Sequence, residues 1–334
     1  MIQTKVHFQV ALLAAWFMLG VGTALAAESE LQADSELQAE SELQVIPVTQ
    51  YELISLESQT VHSPGGGVIV IGENFLLAGV YSQHLFTQNL DFDYPDTYHS
   101  IEMIADVARS RHRYLGGVKS ESNRPVVGGL RTFQAAALYG YELVQQPRFS
   151  LVLGGGLAVS DFGIDGPGGK PWPLLPVPLI RAAWELPLLH ANLDVITGPN
   201  LSLTLAPQRQ LRATLDARID NLRDERDIIF EGALVYRFLG PEHPLGDLAG
   251  VAVGVKSDTI EFDLETQDDS LELHYYALFG TIDLTVLTIS GGYAFNTRVR
   301  YQERVTASPG DGWFISVNAL FPVGIPRRQE EAQQ

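Results

Sequence analysis

The chain has 334 residues, with 40 Asp and Glu against 22 Lys and Arg, a formal charge of −18 and no cysteine. The missing cysteines exclude disulfides, thiolate zinc sites and thiol nucleophiles. The acidic balance excludes a nucleic-acid partner, because phosphate binding needs a concentrated basic surface.

The first segment reads as an export signal over residues 1–26. Lys5 supplies the positive start, Val10 to Val21 form an apolar run, and Ala24-Leu25-Ala26 is a small-x-small cleavage pattern. The exported chain is therefore expected to begin at Ala27. No cysteine follows that site, which excludes a lipoprotein.

Ala27 to Gln44 is one hexapeptide written three times, Ala-Glu-Ser-Glu-Leu-Gln with a single Asp for Glu in the second copy. A six-residue step rotates Leu31, Leu37 and Leu43 around a helix of 3.6 residues per turn, so no apolar stripe forms. Residues 27–66 read as an acidic low-complexity tail and linker, closed by Pro47 and the Ser63-Pro64-Gly65-Gly66-Gly67 break. A spacer helix is the other reading of the repeats.

Residues 67–322 carry strand signals. Phe75 to Phe86 and Tyr98 to Ala108 alternate loosely, and the polar Arg109 to Pro125 reads at least in part as loop. Phe133, Ala135, Ala137, Tyr139, Tyr141 and Leu143 then share one face, and after the turn Gln145 to Arg148 the residues Phe149, Leu151, Leu153, Gly155, Leu157 and Val159 return along a hairpin. Asp161 to Pro178 is a Gly- and Pro-rich break.

Further strands are predicted at Val177 to Leu186, His190 to Thr197, Leu201 to Ala206, Gln210 to Asn221, Asp227 to Leu239, Leu248 to Glu265, Ser270 to Thr281, Leu284 to Arg298 and Gly312 to Phe321. Gln210 to Asn221 alternates most cleanly: Leu211, Ala213, Leu215, Ala217 and Ile219 on one face, Arg212, Thr214, Asp216, Arg218 and Asp220 on the other. In Leu248 to Glu265 the apolar phase flips, which predicts a bulge or turn near Ser257-Asp258. Residues 323–334 read as a polar tail.

No stretch after the signal is long enough for an apolar transmembrane helix, so any spanning falls to strands. On the apolar ladders Phe133 and Tyr141, Phe230 and Phe238, and Trp313 and Phe321 stand eight residues apart. That is about 20 Å along the membrane normal for a strand tilted near 40°, close to the separation of two interfacial girdles. The expectation is an all-β, antiparallel up-and-down transmembrane β-barrel of about twelve strands, between ten and fourteen, in the outer membrane of a Gram-negative bacterium. Arg212, Asp216, Arg218, Glu231, Arg237, Glu272 and His274 are the lumen-facing candidates.

Gly312 to Phe321 resembles the closing strand of outer-membrane barrels, whose terminal aromatic the barrel assembly machinery reads; here thirteen residues follow Phe321. Leu174 to Glu185 and Leu193 to Pro199 resemble an uncharacterised bacterial family of outer-membrane β-barrel proteins. That resemblance implies a fold and a location and supplies no catalytic residues.

Chemistry is sparse. His274 shares a face with Glu272, and His190 with Asn192 and Asp194, but neither has a serine placed for nucleophilic hydrolysis. His62, His84, His99 and His112 lack metal-ligand spacing, Gly65-Gly66-Gly67 lacks the strand-to-helix setting of a phosphate loop, and Arg109-Ser110-Arg111-His112-Arg113 reads as a solvated basic loop. No cofactor is implied. The expected partners are outer-membrane lipid, the assembly machinery and a small solute. The expected function is a non-enzymatic channel or structural surface barrel; a barrel-embedded lipid or lipopolysaccharide hydrolase and a soluble lipocalin-like binding barrel are the alternatives.

Overall fold

The computed structural model describes residues 43–88, 95–125, 132–160, 172–195, 199–220, 227–239, 249–263, 270–284, 286–301 and 304–325. The export signal and residues 27–42 of the repeats lie outside them. The first strands are β1 (Leu43–Leu56), β2 (Gln59–Gly72), β3 (Phe75–Gln88), β4 (Thr97–Arg109), β5 (His112–Ser122) and β6 (Phe133–Gln146). Next come β7 (Phe149–Val159), β8 (Leu174–Leu186), β9 (Leu189–Val195), β10 (Pro199–Leu205), β11 (Leu211–Asp220) and β12 (Asp227–Arg237). The last are β13 (Ala249–Asp263), β14 (Ser270–Leu284), β15 (Leu287–Tyr301), β16 (Arg304–Ala307), β17 (Gly312–Leu320) and β18 (Val323–Ile325).

Each strand from β1 to β15 pairs antiparallel with the next, and β17 closes the ring by pairing with both β15 and β1. β16 extends that wall position along β15, and β18 extends it along β1. The result is a closed barrel of 16 strands, not the ten to fourteen expected.

The additional strands are β1, β2 and β5. β1 and β2 occupy residues assigned to the linker, where Pro64 and the glycine run interrupt alternation. The ladder absorbs both: β2 pairs β3 on either side of Pro64, at His62↔Leu85 and Gly65↔Ser82, and a Cβ on Gly67 would collide with the Gly79 carbonyl of β3. The glycine is required where two backbones pass this closely. β5 reads as loop because its inner face carries Arg113, Lys119 and Glu121, yet it pairs with β4 and β6 along its length. At the other end β18 brings Val323 to Ile325 out of the presumed tail and into the sheet.

The outer surface is a belt of exposed apolar side chains, among them Leu77, Met103, Leu157, Leu215, Leu234, Val253, Leu278 and Ile315. Such a belt on a closed sheet is the surface a bilayer solvates, since closure leaves no unpaired backbone facing lipid. Aromatics fringe it, with Phe230, Tyr276 and Phe295 packed ring on ring toward one end and Tyr236 and Phe238 toward the other.

The two ends differ. Leu43 and Ile325 lie at an end joined by the tight turns 73–74, 110–111, 147–148 and 187–188, whereas the opposite end carries the longer connections 89–96, 123–132 and 160–173. They are called the turn end and the loop end below. The division is not strict: connection 238–248 lies at the turn end, and the short connections 57–58 and 196–198 lie at the loop end.

The wall is uneven in height. β13, β14 and β15 have 15 residues each, and β9 and β10 have seven. At a tilt near 40° these rise about 39 Å and about 18 Å, against an apolar band about 25 Å tall. The tall side therefore continues beyond the belt.

That excess explains the phase flip in β13. Its pairing with β14 runs unbroken from Ala249↔Leu284 to Asp263↔Ser270, so no bulge or turn exists at Ser257-Asp258. The alternation never breaks; the polarity of the two faces inverts. Val251, Val253 and Val255 face outward in the belt, and Ile260 and Phe262 face inward above it, where the outer face turns to Ser257, Thr259 and Glu261. A true bulge occurs on β15, where the pairing steps from His274↔Arg298 to Tyr276↔Phe295 around Asn296 at φ 52.

Candidate functional site

Among the described residues the candidate site is the lumen, and its shape follows from one contact. β5 and β13 stand on opposite sides of a sixteen-strand ring, about 32 Å apart in a round barrel. At the loop end they meet, with Asp263 pairing parallel to Ser122. The walls have closed on one another, and Phe262 of β13 stacks on Tyr98 of β4 at 4.3 Å between ring centroids, with Phe86 at 5.8 Å and His84 at 5.3 Å.

This seam divides the loop end into two lobes. The lobe bounded by β13 to β17 and β1 to β5 is dry: Ile54, Leu56, Val61, Phe86, Tyr98, Ile260, Phe262, Leu271, Leu273, Tyr275, Val299 and Phe314 form one buried cluster. Below it lies a polar layer, in which Gln50 donates to Ser82 at 3.2 Å and Lys256 and Tyr275 both donate to Asp258, at 3.2 and 2.9 Å. Lys256 also sits over the Phe314 ring at 4.8 Å. Toward the turn end the lining is apolar again, with Ile46, Val48 and Ile69 packed together.

The second lobe, from β5 to β13, is different. Along β5 to β8 it is filled by Leu115, Leu138, Val152, Val177 and Leu179. Arg181 of β8 borders this cluster, its Nη1 on Asp106 of β4 at 2.9 Å and its Nε on Asp194 of β9 at 2.9 Å. On β9 to β12 the inner face changes character. Asn192, Asn200, Ser202, Thr204, Arg212, Thr214, Asp216, Arg218, Glu231 and Ala233 are all half-buried. Ser202 donates to Asp216 at 2.5 Å, and Arg237 donates to Asp283 at 3.1 Å at the margin of this face.

The sequence-predicted candidates separate accordingly. Arg212, Asp216 and Arg218 of β11 and Glu231 and Arg237 of β12 share the inner face, in the registers Arg212↔Val235 and Asp216↔Glu231. Glu272 and His274 lie on the other face. Their neighbours Leu271, Leu273 and Tyr275 point into the dry cluster, while Glu272 meets Arg300 at 3.5 Å and His274 meets Thr259 at 2.7 Å on the outside. They stand above the belt, where polar means outward.

A row that sequence reading missed crosses the polar layer. Glu52 pairs opposite Ser63, His84 opposite Tyr98, and the register of β2 on β3 sets Ser63 beside His84. Serine, histidine and carboxylate therefore adjoin on one face. They do not form a catalytic relay: Ser63 Oγ and both ring nitrogens of His84 make no hydrogen bond, and His84 is 0% exposed. Among the described residues no group of three or more His, Asp or Glu could hold a metal ion.

No family model matches the chain, and no curated protein does. Among solved structures it is similar to OccAB3 of Acinetobacter baumannii, with a TM-score of 0.40 and 8% identity over 85% of this chain and 100% of that one. It is also similar to the outer membrane protein OprD of Pseudomonas aeruginosa (TM-score 0.38, 9% identity, 86% of this chain and 94% of that one). OccK5 of the same organism gives a TM-score of 0.35 and 12% identity over 86% and 98%. The closed sheet and its apolar belt are this chain's own evidence for the fold.

Proposed function

We propose that the chain is an outer-membrane barrel that passes small solutes along a narrow water path against β9 to β12, and that it carries out no catalysis. The observation behind this reading is the contrast within one inner surface. Its β9 to β12 face carries a run of half-buried polar side chains, whereas the loop-end lobe is dry and the β5 to β8 face is packed with Leu115, Leu138, Val152, Val177 and Leu179 beside the ion pairs of Arg181. A path beside Arg212, Asp216, Arg218 and Glu231 meets charges of both signs, and its width is set by small side chains such as Thr214, Ser202 and Ala233. The turn end, with its tight connections and both chain ends, faces the periplasm in this reading.

Planar-bilayer recording tests it. The purified protein should give channels narrower than an open sixteen-stranded barrel would, and neutralising Arg212 and Arg218 together should shift ion selectivity toward cations. Thr214→Trp should reduce the conductance severalfold. Silence from protein that still shows a folded, heat-sensitive band would favour a structural surface barrel, which the dry seam at the loop end also supports.

A further inference from the structure

Arg181 connects parts of the wall that the ladder does not. Its ladder partners are Val152 of β7 and Asp194 of β9, and its Nε donates to Asp194 at 2.9 Å. Its Nη1 lies 2.9 Å from Asp106 of β4, four positions round the ring. Two strands so placed stand about 23 Å apart in a round sixteen-strand barrel, well beyond the joint reach of an arginine and an aspartate. The wall is therefore drawn inward a second time here, on the turn-end side of the seam between β5 and β13.

What lies on either side of this contact differs. Leu115 pairs opposite Asp106 and Val152 opposite Arg181, and both belong to the apolar cluster that fills the lobe along β5 to β8. Beyond Asp194 begins the polar face of β9 to β12. Side-chain exposure rises in the same direction, from 7% at Asp106 through 22% at Arg181 to 34% at Asp194. The two ion pairs thus stand between packed apolar side chains and the half-buried polar face. Arginine suits the place, because its planar fork serves two carboxylates at once, whereas lysine offers a point charge. A buried carboxylate that loses the cation bonding it is driven toward water, which here pushes the walls apart.

We propose that Arg181 is the crossbar of the lumen: by tying β4 to β8 and β9 it seals the packed lobe from the path along β9 to β12 and fixes that path's width. Its consequence for conduction rests on the solute path proposed above; the closure itself does not. The two aspartates have unequal roles. Asp194 steadies the guanidinium from the adjacent strand, while Asp106 makes the contact across the barrel.

The test reads wall separation first and conductance second. Val107 follows Asp106 and Ile180 precedes Arg181, so both point outward. In this cysteine-free chain a nitroxide pair at Val107→Cys and Ile180→Cys reports the distance from β4 to β8. That distance should lengthen in Arg181→Met and in Asp106→Ala, and stay as in the parent in Asp194→Ala. Arg181→Glu should lengthen it too, and adding Asp106→Arg should restore it, since two carboxylates and one guanidinium are then rejoined in reversed polarity. In planar bilayers the variants with the longer distance should conduct severalfold more than the parent. Heat-dependent migration on gels shows which variants are folded; if Arg181→Met is not, the two aspartate variants decide. An unchanged distance in folded Asp106→Ala would overturn the crossbar. So would equal lengthening in Asp106→Ala and Asp194→Ala, the mark of a purely local packing role. A longer distance without any rise in conductance would leave the closure standing and overturn the solute path instead.

Discussion

Leu215 and Thr214 are neighbours that face different solvents. Leu215 stands in the outer belt opposite Gly232, while Thr214 faces the lumen opposite Ala233. Leu215→Arg should therefore cost about 2 to 4 kcal/mol near the membrane midplane, and Thr214→Arg much less, measured by reversible unfolding in lipid. Single cysteines at 213, 215 and 217 should be quenched by lipid-borne spin labels, and those at 214 and 216 should not. Equal quenching on both faces would sink the membrane reading. For β11 this was legible from the sequence alone, because lipid on one side and water on the other write a strict two-residue period. Glu272 and His274 were not legible in the same way. The rule that polar means inward holds only within the belt, and nothing local in the sequence marks where the strand leaves it.

At the scale of strands, β13 carries both halves of that lesson. Its Val253 is 62% exposed in the belt, and its Phe262 is fully enclosed by Tyr98, Phe86 and His84 from the opposite wall. A single sequence reports alternation along a strand and is blind to partners six and seven positions round the ring, so the inversion resembled a bulge. Phe262→Ala should remove the centre of the seam, costing about 3 to 5 kcal/mol if the walls stay in place. If they part, the cost is smaller and the lumen widens. Unfolding in lipid combined with bilayer recording separates these cases, since only a parted seam raises conductance. A variant with neither lower stability nor higher conductance would show that the walls do not rest on this ring. β1, β2 and β5 were hidden for other reasons. Pro64 and the glycine run imitate a linker, and the charges on the inner face of β5 imitate a loop.

For the whole molecule, closure depends on β1, the strand that sequence reading left in the linker. The ladder from Val48↔Leu320 to Leu56↔Gly312 joins the start of the barrel to its end, and without it the sheet would expose two long unpaired edges to lipid. A covalent staple tests the seam directly. Tyr51 faces Val317 across it, and Gln50 faces Asn318. In an antiparallel ladder successive pairs alternate between Cα separations of about 5.5 Å and about 4.5 Å, both within the range a disulfide spans, so the two pairs sample both geometries. The chain has no cysteine of its own, so Tyr51→Cys with Val317→Cys and Gln50→Cys with Asn318→Cys can be read without background. After oxidation in membranes, at least one double variant should survive boiling as a circularised species that migrates faster than its reduced form and reverts on reduction. A barrel that began near Phe75 would leave residues 50 and 51 far from β17, and neither pair would cross-link. Failure of both staples in protein that remains heat-modifiable would remove β1 from the wall, and with it the sixteen-strand ring on which the divided lumen depends.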